Sequence, residues 1–172
     1  KTRLHFCFRV YYPYYTTFAR IIVTRHVGDG EVTYPKLDLS AIPAFLATNS
    51  SGQSVGTSEA ALQANTEIYD NANNYNTGTY TFTAPDTGLY EFFVIASANN
   101  GSSSRLITGI KVNSTTYSGT QTTDTFGSGL CYLQIALTAG DTVQAVVSKN
   151  PNVTMSLNSG VANVRFFGKR VA

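Results

Sequence analysis

From Ala44 to the end of the chain, apolar residues never settle into helical spacing. They come in short alternating runs, with a turn signal every eight to twelve residues. A chain punctuated in this way cannot extend long helices. It buries its apolar residues by stacking two sheets face to face. Composition agrees where it bears on this point. Charged residues are 13%, half the usual ~25%. Polarity is carried instead by Thr, Ser and Asn, which suit strand faces and turns and form helices poorly. Eleven Tyr and ten Phe fit a pleated, half-buried surface. At 172 residues and 42% hydrophobic, the chain suits one core plus an arm.

Thr79–Thr83 reads as an alternating strand, with Tyr80 and Phe82 on one side. Ala84–Gly88 is a turn. Leu89–Ala98 is apolar on both faces, the pattern of a strand inside a two-layer fold. Further strands are expected up to about Tyr69, at Leu106–Val112, at Leu130–Leu137, at Thr142–Ser148 and across Val161–Val171. In Leu130–Leu137 the residues Leu130, Tyr132, Gln134 and Ala136 share a face. Between the strands lie an Asn-rich turn at Asp70–Gly78 and four polar loops: Asn49–Ser58, Asn99–Ser104, Asn113–Ser128 and Lys149–Gly160. Any ligand contact is expected on those four loops, because loops vary without disturbing a ladder.

The first 42 residues differ from the body, 43–172. Residues 1–40 carry Lys1, Arg3, Arg9, Arg20, Arg25 and Lys36 against Asp29, Glu31 and Asp38, a net +3. The remainder holds six basic and seven acidic residues, a net −1. Leu4, Phe6, Phe8 and Val10 alternate as a half-buried strand would, and Phe18, Ile21, Ile22 and Val23 form a second apolar stretch. These eight residues are too apolar for water, so the arm is expected to order against protein, its own body or a neighbouring subunit. The net charge of +2 does not argue for nucleic acid.

The segment YNTGTYTFTAPDTGLYEFFV, Tyr75–Val94, resembles the globular head of the complement-1q family, relatives of tumour necrosis factor. The matching positions are Tyr75, Thr77, Gly78, Tyr80, Phe82, Ala84, Pro85, Gly88, Tyr90 and Phe92. LQIALTAGDTVQAVV is similar to the family's late strand pair, with its turn at Gly140 and Asp141. VRFFGKRV is similar to the last strand, with Phe166 and Gly168. Pro85 cannot extend a ladder, and Gly88 is free to take positive φ, so the two suit a corner. The resemblance implies an all-β, ten-strand jelly-roll sandwich, here with an N-terminal β arm, and a compact homotrimer. Some members bind calcium near the threefold axis; no ligand set for it maps onto this chain, so no metal or ligand residue is assigned and no cofactor is expected. Before the body, HVGDGEVTYPKLDLSAI, His26–Ile42, is similar to a unit of viral and phage fibre shafts through Val32, Thr33, Lys36 and Leu37.

Catalysis finds little support. The only histidines, His5 and His26, both lie in the arm, so a nucleophile–histidine arrangement would need one of them to reach the body. Glu59, Glu67, Asp70, Asp86, Glu91, Asp124 and Asp141 show no marked pair, and Gly127-Ser-Gly129 opens no helix. No catalytic residue and no enzyme activity are expected. Cys7 and Cys131 read as two buried thiols or as one bridge from arm to body. Asn49, Asn100, Asn113 and Asn152 stand in sequons, candidate glycan sites only in a eukaryotic secreted chain. No apolar run approaches the ~20 residues of a membrane helix. The chain starts at Lys1 rather than Met, so an upstream piece, removed or left out, is expected, and its nature stays open between a cleaved signal peptide and other segments.

The leading expectation is a non-enzymatic structural and binding protein: the trimeric head of a viral or phage fibre or capsid decoration, attached through its arm. Its partners would be copies of itself, other virion proteins and a cell-surface glycan or protein receptor, at the virion surface or in the extracellular space. A secreted filament subunit assembled by strand exchange, with other filament proteins as partners, and a soluble lectin-like or innate-immune recognition module are the alternatives.

Overall fold

The computed structural model describes residues 42–99, 105–121, 127–150 and 155–171. The arm residues Leu4, Phe6, Phe8, Val10, Phe18, Ile21, Ile22 and Val23, Cys7 and the shaft-like unit before Ile42 lie outside these residues. The described strands are β1 (Ala44–Thr48), β2 (Gln53–Ser54), β3 (Ala60–Ala61), β4 (Thr66–Asp70), β5 (Tyr75–Asn76), β6 (Thr81–Thr83) and β7 (Gly88–Asn99). They continue with β8 (Leu106–Val112), β9 (Thr115–Ser118), β10 (Thr120–Gln121), β11 (Ser128–Leu137), β12 (Thr142–Lys149), β13 (Ser156–Leu157) and β14 (Val164–Arg170). These fourteen segments divide the chain more finely than the ten strands expected, because five of them are two-residue pairings.

Two antiparallel sheets result. The larger runs β10-β11-β7-β14-β1-β4, with β13 and β2 joined at its side; the smaller runs β5-β6-β12-β8-β9, with β3 on β12. The long strand β7 is the spine of the larger sheet. It pairs with β11 along its length, from Ser128↔Ser97 to Leu137↔Gly88, and with β14 on its other side. Its residues Tyr90, Phe92, Val94, Ala96 and Ala98 are fully buried, while the alternate set is half-buried. Period-two alternation sends one set to the core and the other outward.

The core between the sheets is aromatic. Phe45 stacks on Tyr75 at 4.6 Å between ring centroids and on Phe82 at 5.1 Å. It meets Phe166 edge-on at 5.0 Å, and Phe82 meets Phe92 edge-on at 5.5 Å. Offset and T-shaped pairs of this kind each add about 0.5–1.5 kcal/mol beyond burial. Gly168 is the gap that lets the cluster close. In the register Phe45↔Gly168↔Phe92, a Cβ at Gly168 would lie 2.5 Å from Phe45 Cε1 and 2.6 Å from Phe92 Cδ1.

Three local expectations change. Tyr80 does not share the face of Phe82. The Asn76 side chain accepts from the N–H groups of Gly78 and Thr79, forming a turn, and Tyr80 follows it at φ 58°. The strand therefore begins only at Thr81. Alternating sequence predicted a longer strand because it carries no record of side-chain capping. Gly88 opens β7 and pairs with Leu137; among the described residues, the glycines with positive φ are Gly52, Gly140 and Gly160. Finally, Asn113–Ser128 is not one excursion. β9 folds back along β8, and β10 pairs with β11.

Candidate functional site

The motif residues divide between core and corner. Tyr75, Phe82, Tyr90, Phe92, Phe166 and Gly168 are buried in the aromatic core. Pro85, Gly88, Gly140 and Asp141 stand at one end of the sandwich. There Ala84 N–H donates to Asp141 O at 2.9 Å, and Gly140 N–H donates to Ala84 O at 2.8 Å. Tyr90 crosses from core to corner, its hydroxyl donating to Asp86 O at 2.8 Å. The Asp141 carboxylate accepts from Thr138 N–H at 2.8 Å and from the Asn113 amide at 3.0 Å. The Asn113 amide and then the Thr138 N–H hold Asp141 below the ordinary carboxyl range, because each bond favours the charged form. Gly78, on the turn before Tyr80, is exposed. These residues shape the fold, and Tyr75 also belongs to the lining of an open groove.

The sequons fare differently. Asn49 is fully buried, and its amide donates to Gln63 O at 2.8 Å while its oxygen accepts from Ser51 and Gly52. Asn113, at φ 51°, is tied into the Asp141 corner. Asn100 and Asn152 lie outside the described residues. Of the four polar loops, 49–58 lies beside the described parts of 149–160: Val55 N–H donates to Met155 O and Lys149 N–H to Gly56 O, while Asn150 N–H donates to Arg105 O, just after 99–104. Asn113 begins at the opposite end.

The surface that stands out is the outward face of the larger sheet. Cross-strand register puts Tyr132 opposite Phe93, Phe93 opposite Phe167, Phe167 opposite Leu46 and Leu46 opposite Tyr69. Opposed residues on one face are close neighbours, so these side chains make one apolar row across β11, β7, β14, β1 and β4. A second row adjoins it, with Leu130 opposite Ile95. Tyr132 is 55% exposed, Tyr69 42% and Leu130 40%. No described residue covers this face, although it holds the large side chains usually kept from water.

Arg165, opposite Ile95, and a polar cluster around Glu91 punctuate it. Lys169 Nζ lies 2.9 Å from Glu91 Oε1, and the Tyr132 hydroxyl donates to Glu91 Oε2 at 3.3 Å. The bond from Lys169 is the main reason the Glu91 carboxyl is held low, and Glu91 in turn raises Lys169. Sequence analysis grouped Leu130 and Tyr132 on one face but missed Phe93, Phe167, Leu46 and Tyr69. The apolar character of both faces of Leu89–Ala98 was the available signal.

Chemistry of other kinds has little to work with. Among the described residues no three His, Cys, Asp or Glu side chains converge as metal ligands. Cys131 is a buried free thiol whose pKa is raised by burial. No described helix is long and apolar enough to cross a membrane.

Two packed antiparallel sheets of this topology, with an aromatic core and an uncovered outward face, define a jelly-roll binding or structural module. Residues 44–168 match the C1q domain, and the chain belongs to that family. Solved structures share the fold. The globular domain of zebrafish complement 1qA protein is 19% identical, with a TM-score of 0.57, over 76% of this chain and 98% of that one. Murine APRIL is 8% identical, with a TM-score of 0.55, over 76% and 99%. The PRD1 vertex protein P5 is 11% identical, with a TM-score of 0.57, over 76% and 97%. No curated protein matches the chain.

Proposed function

We propose that this protein is the homotrimeric head of a viral or phage fibre or capsid decoration, acting in assembly and binding, and that the outward face of the larger sheet is its subunit interface. The carrying observation is the apolar row from Tyr132 through Phe93, Phe167 and Leu46 to Tyr69. Each such side chain removed from water contributes about 1.5–3 kcal/mol, and a threefold contact repeats that gain at every interface. The Glu91–Lys169 pair inside the face would set the orientation of the contact more than its strength. Family membership supports the trimer, and the vertex protein among the structural neighbours favours a place on a virion.

The arm supplies attachment in this reading. Its eight apolar residues and its net +3 charge suit pairing with a particle protein of acidic rim.

Light scattering of the full chain should give three times the chain mass at micromolar concentration. Phe93→Lys should give a folded monomer, because a charge cannot be buried unpaired at the centre of the contact. Deleting residues 1–36 should leave a folded trimer that no longer attaches to its particle. A wild-type monomer overturns the interface, and a truncated chain that fails to fold overturns the division into arm and body.

A further inference from the structure

A second surface lies on the other side of β4. A groove of about 470 Å³ opens there, lined by Glu67 of β4 and by Asn73, Asn74, Asn76 and Thr77 around Tyr75. β4 ends the strand path of the larger sheet and β5 that of the smaller, so the groove runs between two sheet edges. A bulge between Leu46 and Ala47 sets the sides apart: Tyr69 lies opposite Leu46, whereas Glu67 lies opposite the buried Ala47. One short strand thus gives Tyr69 to the assembly face and Glu67 to the groove.

The groove wall is fixed in advance by bonds that leave its side chains free. The Asp70 carboxylate accepts from Tyr75 N–H at 2.8 Å and from Ala72 N–H at 3.3 Å. Tyr75 anchors the floor, its hydroxyl donating to Ala64 O at 2.8 Å and its ring stacked on Phe45. Thr83 N–H donates to Asn74 O at 2.9 Å, and Asn73 is set at φ 53°. Asn76 spends its oxygen on the Gly78 and Thr79 N–H groups. The Glu67 carboxylate, the Asn73 and Asn74 amides and the Thr77 hydroxyl make no hydrogen bond within the described residues, and all line the one groove.

We infer that this groove is a saccharide-binding site selecting neutral or amino sugars. Its lining offers both acceptors and donors, which is what sugar hydroxyls pair with. Among the described residues its lining holds no cation, and the one charge in it is the Glu67 carboxylate, which repels acidic sugars. The ring of Tyr75 is buried against Phe45 and gives no exposed platform for an apolar peptide anchor. The inference rests on the reading of the chain as a binding module, but not on its oligomeric state.

Saturation-transfer NMR on the full chain, with lactose, chitotriose, glucosamine and sialyllactose as probes, tests it. Transfer is expected to at least one of the first three and not to the sialic acid ring. Glu67→Gln and Asn74→Ala should each weaken binding about tenfold, the loss expected for one hydrogen bond to a charged or amide group. Both should keep the melting temperature and the mass of the wild type. Silence with all four probes, a preference for sialyllactose or undiminished binding by both variants overturns the site. Light scattering on the same samples separates the two proposals: a trimer silent to sugars removes the groove alone, and a sugar-binding monomer removes the interface alone.

Discussion

The two sheets are built from the same alternating pattern, yet their outward faces are unlike. On the smaller sheet, the outward residues of β8 and β12 are Ile107, Gly109, Lys111, Gln144, Val146 and Ser148. Lys111 reaches Glu59 at 3.1 Å, Thr116 donates to the same carboxylate oxygen, and Gln144 bonds to Thr79 O and Thr81 Oγ1. Gly109 and Val146 are buried on that face, and its half-buried Lys111 and Gln144 find partners within the smaller sheet and its loops. On the larger sheet the matching positions include Phe93, Ile95, Leu130, Tyr132, Phe167 and Leu46 beside Glu91, Gln134, Arg165 and Lys169, and no described residue lies above the apolar ones. A sheet needs only one apolar face to fold. A second apolar face therefore suits a contact that the described residues do not make.

Adjacent residues of β7 break or sharpen this contrast most directly. Phe92 is fully buried toward the core, and Phe93 points outward. Phe92→Ala should cost about 3–5 kcal/mol of folding free energy, read by denaturant titration and independent of protein concentration. Phe93→Ala should instead weaken assembly by about 1.5–3 kcal/mol per subunit, read as a concentration-dependent mass. If both variants behave alike, the two faces of the larger sheet do not have separate roles. On the smaller sheet, Lys111→Ala removes a half-exposed ion pair and should change stability by about 0–1 kcal/mol with no effect on mass.

The smallest effect concerns pH. Asp141 is held below its ordinary value by the Asn113 amide and then the Thr138 N–H. With a depressed folded pKa, the unfolded chain takes up the proton first as pH falls. The stabilisation is therefore complete above the unfolded carboxyl value and is lost as pH falls through the folded one. Asp141→Asn should flatten the acid limb of a melting curve recorded from roughly pH 5 downward. Glu91 is depressed in the same direction, chiefly by Lys169, so part of the limb should survive.

Much of this architecture was legible beforehand, and the misses have definite causes. Leu89–Ala98 was readable as an interior strand because both of its faces are apolar. The corner at Gly140 was readable because a glycine there, at φ 92°, turns the chain where other residues are strained. Tyr80 was misplaced because the Asn76 side chain caps a turn inside an alternating run. Asn49 was placed in a loop as a sequon, yet its amide is buried and bonded to Gln63, a contact fourteen residues away. The groove at Glu67 was not foreseen, since its lining comes from the edges of two different sheets.

The sequence by itself determined that the chain alternates, turns often and carries aromatic residues enough for a two-layer β fold, because period and turn chemistry are local properties. It also determined the family, through residues whose spacing is fixed by the corners between strands. Only the tertiary structure decided which apolar residues became core and which became surface. Phe92 and Phe93 are the same amino acid at neighbouring positions, and nothing local separates them. The register of β7 against β11 and β14 does so, by turning one ring toward Phe82 and the other toward a face that no described residue covers.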